Sequence, residues 1–248
     1  MSKSELEVSK NKILDGSISI FQPKKGFRVS IDSILLSSSI KEYSKCMEFG
    51  TGSGIIIIYL SKKFPNSKII GVEKNIELVK LANKNLLKNN INNINSKILC
   101  NDLFNKPFLQ EYNNKLDRVI MNPPYFISNN VIKSNNKFKA SARYESNINE
   151  WFEAAYKKLK PKGYMNFVFR TESLALILSK LNGSWGEIKI FPLWPKVNVK
   201  SKLMILQAKK NAKSGVQILP GLILHNNDGS YTDACNSILN NKSDIQLD

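Results

Sequence analysis

From Lys45 onward short apolar runs alternate with amphipathic stretches, and that alternation restricts the chain to parallel strands joined by helical crossovers. Lys45–Phe49, 68–72, Ser96–Cys100 and Leu116–Met121 read as the first four strands, with helices over 54–64 and Ile76–Lys88. An irregular stretch follows the fourth strand. Residues 148–159 then form a helix ended by Pro161 and Gly163, and 164–170 a fifth strand. A helix over 173–181 stops at Asn182-Gly183, and 187–191 and 203–208 are strands separated only by a loop. Two strands joined without a helix pair antiparallel, so the sheet finishes that way. The predicted fold class is α/β: a mostly parallel seven-stranded sheet with an antiparallel last strand and helices on both faces.

The first strand runs into Glu48-Phe49-Gly50-Thr51-Gly52-Ser53-Gly54. Gly50, Gly52 and Gly54, at alternate positions, permit a tight turn and close approach of a ligand to the backbone, and the following helix presents free N–H groups. Glu73 ends the second strand, where a carboxylate can accept hydrogen bonds from both hydroxyls of a ribose. The spacing is G-x-G-x-G, not the G-x-G-x-x-G that receives a pyrophosphate, and Glu48 would repel a diphosphate. An amino-acid ammonium would be welcome there. The combination fits S-adenosylmethionine better than NAD, with Asp102 after the third strand placed for the adenine amino group.

The fourth strand ends in Asn122-Pro123-Pro124-Tyr125. Alone, this is a turn after a strand. Downstream of a carboxylate-flanked glycine loop it sets an amide, two stiff imides and an aromatic ring at the edge of the sheet, where the prolines remove two N–H donors and hold Asn122 and Tyr125 in a defined relation.

With these motifs the sequence resembles the class I S-adenosylmethionine-dependent methyltransferases with a Rossmann-like fold, and among them the NPPY-bearing amino methyltransferases. More narrowly it is similar to the bacterial valine-tRNA (adenine-N6) methyltransferases. That likeness rests on Gln22-Pro23-Lys24-Lys25-Gly26-Phe27-Arg28-Val29-Ser30-Ile31-Asp32 leading into Leu35-Leu36, on the glycine loop, on NPPY, on Ala142-Arg143-Tyr144-Glu145 and on a closing Leu-Gln-Ala-Lys-Lys strand at 206–210. The resemblance implies that Asn122 and the Pro123 carbonyl accept the two hydrogens of a planar amino group, that Tyr125 stacks on the flipped base, and that Pro124 completes the clamp. It implies N6 methylation of a tRNA adenosine near the anticodon. Alternatives are a glutamine methyltransferase acting on release factors, whose helical domain ahead of the glycine loop has no counterpart here, an rRNA guanine-N2 methyltransferase, and a non-catalytic RNA-binding module.

The net charge of +17 invites a polyanion, although a bias toward Lys, Asn and Ile produces such an excess without one. Placement says more than the sum. Lys24, Lys25 and Arg28 lie in the entry segment, and Lys133, Lys137, Lys139 and Arg143 follow NPPY without an intervening acid. Lys196, Lys200 and Lys202, continuing to Lys209, Lys210 and Lys213, form a further run. All are expected around the NPPY mouth, holding phosphates.

The 248 residues suit one such domain over 41–210, with an entry or lid segment at 1–40 and an extension at 211–248 turning at Asn227-Asp228-Gly229. In the entry segment 18–22 is strand-like, 23–26 a turn, and a helix begins at Ile31 with Ser30 as its cap. No apolar run approaches the roughly 20 residues of a membrane span, and the N-terminus is charged, so a cytoplasmic monomer is expected. Cys46, Cys100 and Cys235 read as buried reduced thiols, and with His225 the only histidine no metal site is expected. Trp151 and Phe152 read as core residues of their helix.

Overall fold

The computed structural model describes residues 7–25, 28–123 and 137–247, with only the backbone of 137–147. The elements in chain order are β1 (Val8–Ile13), β2 (Ile18–Pro23), α1 (Ile31–Ser38), β3 (Lys45–Phe49), α2 (Ile55–Lys63), β4 (Lys68–Glu73), α3 (Ile76–Lys88), β5 (Ser96–Cys100), β6 (Leu116–Met121), α4 (Lys137–Lys158), β7 (Leu159–Arg170), α5 (Leu174–Leu181), β8 (Trp185–Trp194), β9 (Leu203–Lys210), β10 (Val216–Ile218), β11 (Leu222–Ile223) and α6 (Asp233–Leu239). The main sheet runs β10-β8-β9-β7-β6-β3-β4-β5, with β11 also on β8. All seven expected strands are present, and in this sheet, among the described residues, only β9 runs antiparallel to both of its neighbours. The carboxyl ends of β3, β4, β5, β6, β7 and β8 therefore share one edge.

Alternation along the strands splits the core into two layers. Cys46, Ile120 and Val168 pack with α1, α2 and α6, whereas Met47, Phe49, Val119, Met121 and Phe167 pack with α4 and α5. The run Ile55-Ile56-Ile57-Ile58 is a poor helix former because β-branched side chains are stiff at χ1. Every residue of it is buried, so packing decides its conformation.

Four differences from the sequence reading have physical causes. A first strand, β1, pairs antiparallel with β2; its VSKNKI pattern is partly exposed and carries no apolar alternation to reveal it. α4 begins at Lys137, inside the stretch read as irregular, where lysines and asparagines hide the helical period. β7 starts at Leu159 and runs past Pro161 and Gly163, because its pairing with β6 jumps from Leu159 opposite Leu116 to Tyr164 opposite Arg118 and the bulge accommodates the proline. Residues 211–247 add β10, β11 and α6 to the same core, with Leu222, Leu224, Cys235, Ile238, Ile245 and Leu247 buried in the α2 layer. Cys46 and Cys235 are buried free thiols, but Cys100 is exposed at the outer strand β5. No helix among the described residues is long and apolar enough to cross a membrane.

The N-terminal hairpin is held by Asn85 of α3 and by Asn89, the residue that caps its C-terminal end. Asn85 Oδ1 accepts from Phe21 N at 2.8 Å and its Nδ2 donates to Phe21 O at 2.7 Å and to Ser53 O at 2.8 Å. One turn later Asn89 repeats the exchange with Ser19, at 3.0 and 2.7 Å. Four helical residues rise about 6 Å and two strand residues about 6.6 Å, so the amides act as a surrogate strand along the β2 edge. Asn85 is wholly buried. Asn85→Ala leaves three backbone groups without their partner, and a loss of about 3 kcal/mol is expected, read as a melting temperature lower by about 6–12 °C.

Candidate active site

The carboxyl edge of a doubly wound sheet is open where successive crossovers leave in different directions, and ligands bind in that crevice. Here the crevice is a cavity of about 500 Å³ lined by the loops after β3, β4, β5 and β6 and by the first turn of α1. Glu48, Gly50, Gly52, Glu73, Asp102, Asn122 and Pro123 all face it. Five stretches far apart in sequence thus meet at one place.

The glycine loop is tied to β4 by Gly50 N and Thr51 N, which both donate to Val72 O. Gly52 has a φ of +58°, and a Cβ built there would meet nothing within 4 Å, so the loop leaves an open cradle on the cavity side. Gly54, at φ +92°, caps α2, and a Cβ on it would press on Ala82 Cβ at 3.3 Å, which requires glycine for close helix packing. Glu73 accepts from Gly52 N at 3.0 Å and from Asn75 N at 2.9 Å. Each carboxylate oxygen can accept twice, so both retain capacity for hydroxyl donors. Asp102 Oδ1 accepts from Phe104 N at 3.0 Å, an Asx turn that holds its carboxylate at the wall.

Glu48 is 2 % exposed, and its Oε2 has no hydrogen-bond partner among the described residues. Burial, with the Glu73 charge adding to it, pushes the carboxyl up to about 8. A buried carboxylate oxygen without a partner is costly unless something cationic meets it. Four acids line the cavity (Asp32, Glu48, Glu73 and Asp102) against two cations, Arg28 and Lys74. In a chain of net charge +17, this pocket is locally acidic. The donor set and the open cradle fit a ligand that carries an ammonium, ribose hydroxyls and a positive centre.

Asn122 stands at the end of β6, and its Nδ2 donates to Ser33 Oγ of α1 at 2.8 Å. This bond fixes the orientation of the amide, with its nitrogen toward α1. Ser33 itself is buried, and nothing in the sequence pattern marks it beyond its place in the first turn of α1, where Ser30 holds the N-cap position but its hydroxyl bonds Asp32 and makes no capping bond. Trp151 is a core residue as expected, yet its indole also closes the cavity: a Cβ on Gly50 would lie 3.2 Å from its Cη2. Only the three-dimensional packing of α4 brings it there.

Pro124, Tyr125 and Lys133 lie outside the described residues, and Lys137, Lys139 and Arg143 fall in the part of α4 described as backbone only. Arg28 is part of the cavity wall itself. Lys24, paired with Glu7 at 3.6 Å, and Lys25 are exposed at the end of β2, close in sequence to Arg28. Lys196, Lys200 and Lys202 occupy the β8–β9 loop, at the same edge as Asn122. Lys209, Lys210 and Lys213 do not: β9 runs antiparallel and carries them to the opposite edge. Lys210 is buried there, donating to Asn114 Oδ1, Tyr156 O and Leu159 O, so it caps the end of α4. Burial holds its ammonium below the usual lysine range. Lys209 pairs with Glu187 at 2.9 Å.

The model of the methyltransferase small domain family matches residues 27–190. A Haemophilus influenzae (strain PittGG) protein named tRNA1(Val) (adenine(37)-N6)-methyltransferase is 27% identical, over 87% of this chain and 90% of its own length. A Vibrio campbellii protein of the same name is 24% identical over 87% and 88%. Among solved structures, a predicted O-methyltransferase of Agrobacterium tumefaciens superposes with a TM-score of 0.72 at 17% identity, covering 87% of this chain and 98% of that one. M. jannaschii TYW2, solved in complex with AdoMet, gives 0.54 at 15% identity over 84% and 87%. The strand order, the glycine loop after β3 and the match over 27–190 agree, and the chain belongs to the methyltransferase small domain family.

Proposed function

We propose that this methyltransferase acts on the exocyclic N6 amino group of an adenosine near the anticodon of a tRNA, with S-adenosylmethionine as methyl donor. The observation that carries the reading is Asn122, whose amide is oriented by Ser33 at the mouth of the same cavity that holds the glycine loop, Glu48 and Glu73. The names of the Haemophilus and Vibrio relatives support the substrate class.

In this reading Glu48 receives the ammonium of the cofactor, Glu73 the ribose hydroxyls and Asp102 the adenine amino group, while Gly50 and Gly52 let its chain lie against the backbone and Gly54, which packs α2 on Ala82 and does not line the cavity, has no contact with it. When bound, the cofactor supplies an electrophilic methyl carbon on a sulfonium. The amino nitrogen of adenine is planar, its lone pair delocalised into the ring, so the enzyme's main task is orientation. The Asn122 side-chain carbonyl and the Pro123 backbone carbonyl accept the two amino hydrogens and aim the nitrogen. Tyr125 stacks on the base, and Pro124 holds the pair in register. No strong general base is assigned, because proton loss becomes easy once the nitrogen carries the methyl group.

Labelled methyl transfer tests the reading, with tRNA, ribosomal RNA, DNA and release factor offered in parallel. Label in tRNA, at N6 of adenosine, is expected. Label in release factor alone overturns the substrate, and neither label nor cofactor binding anywhere makes the chain a binding module. The basic residues at the site edge give a second expectation. Affinity for tRNA should fall steeply between about 50 and 200 mM salt, with a log–log slope near −0.9 per phosphate neutralised, and a flat titration would exclude phosphate holding.

A further inference from the structure

We propose that the C-terminal 225–231 turn and the β8–β9 loop form one RNA-docking surface, in which the stacked pair His225 and Tyr231 receives an unpaired base and Lys196, Lys200 and Lys202 hold the flanking phosphates. The proposal rests on the assignment of a nucleic-acid substrate and extends it to a part of the chain to which that assignment gives no role.

The sheet brings these segments together. β11 pairs in parallel with β8, Leu222 opposite Leu193 and Ile223 opposite Trp194, so both strands deliver their C-terminal continuations to the carboxyl edge. Leu224 N and His225 N then donate to Trp194 O and Pro195 O, at 2.8 and 3.1 Å, and Lys196 Nζ donates to Asn227 O at 2.9 Å. The turn and the loop are one body.

Registers locate that body relative to the site. Met121 is opposite Phe167, Phe167 opposite Leu206, and Leu206 opposite Ile190. Three strand spacings separate β6 from β8, about 14 Å, and Trp194 stands four residues beyond that level, about 13 Å. The surface therefore rises to one side of Asn122, at about 20 Å, a span that a nucleic-acid stem-loop with one base drawn into the cavity can bridge.

Its chemistry suits RNA better than an acidic protein. His225 and Tyr231 face each other across an isolated antiparallel bridge, their rings stacked at 4.8 Å and 27°. Tyr231 is 37 % exposed, and it is a flat ring on which a base can continue the stack. Val197 and Val199, 58 % and 41 % exposed, alternate with the lysines and offer apolar contact to a sugar or base. Asp228 is the acid of the turn, and its Oδ1 is engaged by Ser230 N and Oγ, at 2.9 and 2.6 Å. An acidic polypeptide would use the lysines and leave the ring stack idle.

Fluorescence anisotropy of the full-length protein with labelled tRNA, and with labelled poly-glutamate as competitor class, tests the surface. Tyr231→Ala is expected to weaken tRNA binding about tenfold, Tyr231→Phe to restore it, and Lys200→Glu with Lys202→Glu to weaken it further and to flatten the salt slope by about two. The thermal shift given by S-adenosylhomocysteine should be unchanged in each variant, which establishes that the domain is intact. Should Tyr231→Ala lose that shift, Tyr231→Leu and the lysine pair decide. Unchanged tRNA affinity in the intact variants overturns the surface, as does equal binding of poly-glutamate that follows the lysines alone. Methyl transfer by the wild type separates the two readings: label in release factor together with lost RNA binding in the variants sinks the tRNA substrate and keeps the surface, whereas label in tRNA with unaltered variants does the reverse. A wild type that binds no RNA overturns both.

Discussion

Asn122→Ala is expected to lower kcat for methyl transfer by about 10²–10³-fold, the scale seen when one pre-aimed polar group is removed from a reacting centre. Affinity for the cofactor should stay within a few fold, because Glu48, Glu73 and the glycine loop remain. The physical reason is orientation: without the amide carbonyl, the Pro123 carbonyl alone leaves the planar amino group free to turn away from the methyl carbon, and misplacement by about an ångström is enough to cost two orders of magnitude. Ser33→Ala provides the graded companion. It deletes the 2.8 Å bond that holds the amide and should lower kcat by a smaller factor, with KM for tRNA unmoved. Single-turnover kinetics at saturating cofactor measure both, and full turnover in Asn122→Ala would remove the residue from its role.

The second large effect is on cofactor affinity as a function of pH. Glu48 is pushed up to about 8 by burial, well above its ordinary 4.5, so in the empty enzyme it is protonated through the neutral range. An ammonium needs the ionised form. Binding must therefore release a proton, and affinity should rise about tenfold per pH unit from pH 6 until about pH 8, where the cofactor's own α-amino group begins to lose its charge. The sign for stability is the opposite. A carboxyl whose folded value lies above its unfolded one stabilises the empty protein at low pH, and that contribution fades as pH rises from about 4.5 towards 8. Calorimetry in buffers of different ionisation enthalpy counts the proton. Glu48→Gln should weaken binding at pH 8 and abolish the slope below it; an unaltered slope would place the ammonium elsewhere.

Much of the scaffold was legible because the signals are local. Lys45–Phe49, Ser96–Cys100 and Leu116–Met121 are apolar runs bounded by turn formers, and the structure keeps them to the residue. The hairpin strand β1 was not legible, since its strand character comes from pairing with β2, not from burial of its own side chains. Nor was the fate of the basic run after Pro195. Lys202 and Lys209 are seven residues apart, yet one antiparallel strand sends them to opposite edges and buries Lys210 under the end of α4.

At the site the division is similar. Glycine spacing, the flanking Glu48 and the strand-ending Glu73 are chemical statements made by nearby residues, so the order of residues was enough to propose a cofactor loop, whereas the clamp at the amide before two prolines came as what the family resemblance implies. Contacts across the fold came from elsewhere: Ser33 on the Asn122 amide, Trp151 over Gly50, the Glu48 oxygen left without a partner among the described residues, and the return of 225–231 to the edge where Lys196 waits. Each depends on which elements a parallel sheet places side by side. Pairing between strands distant in sequence is chosen by burial summed over the whole core, and no local pattern encodes that sum.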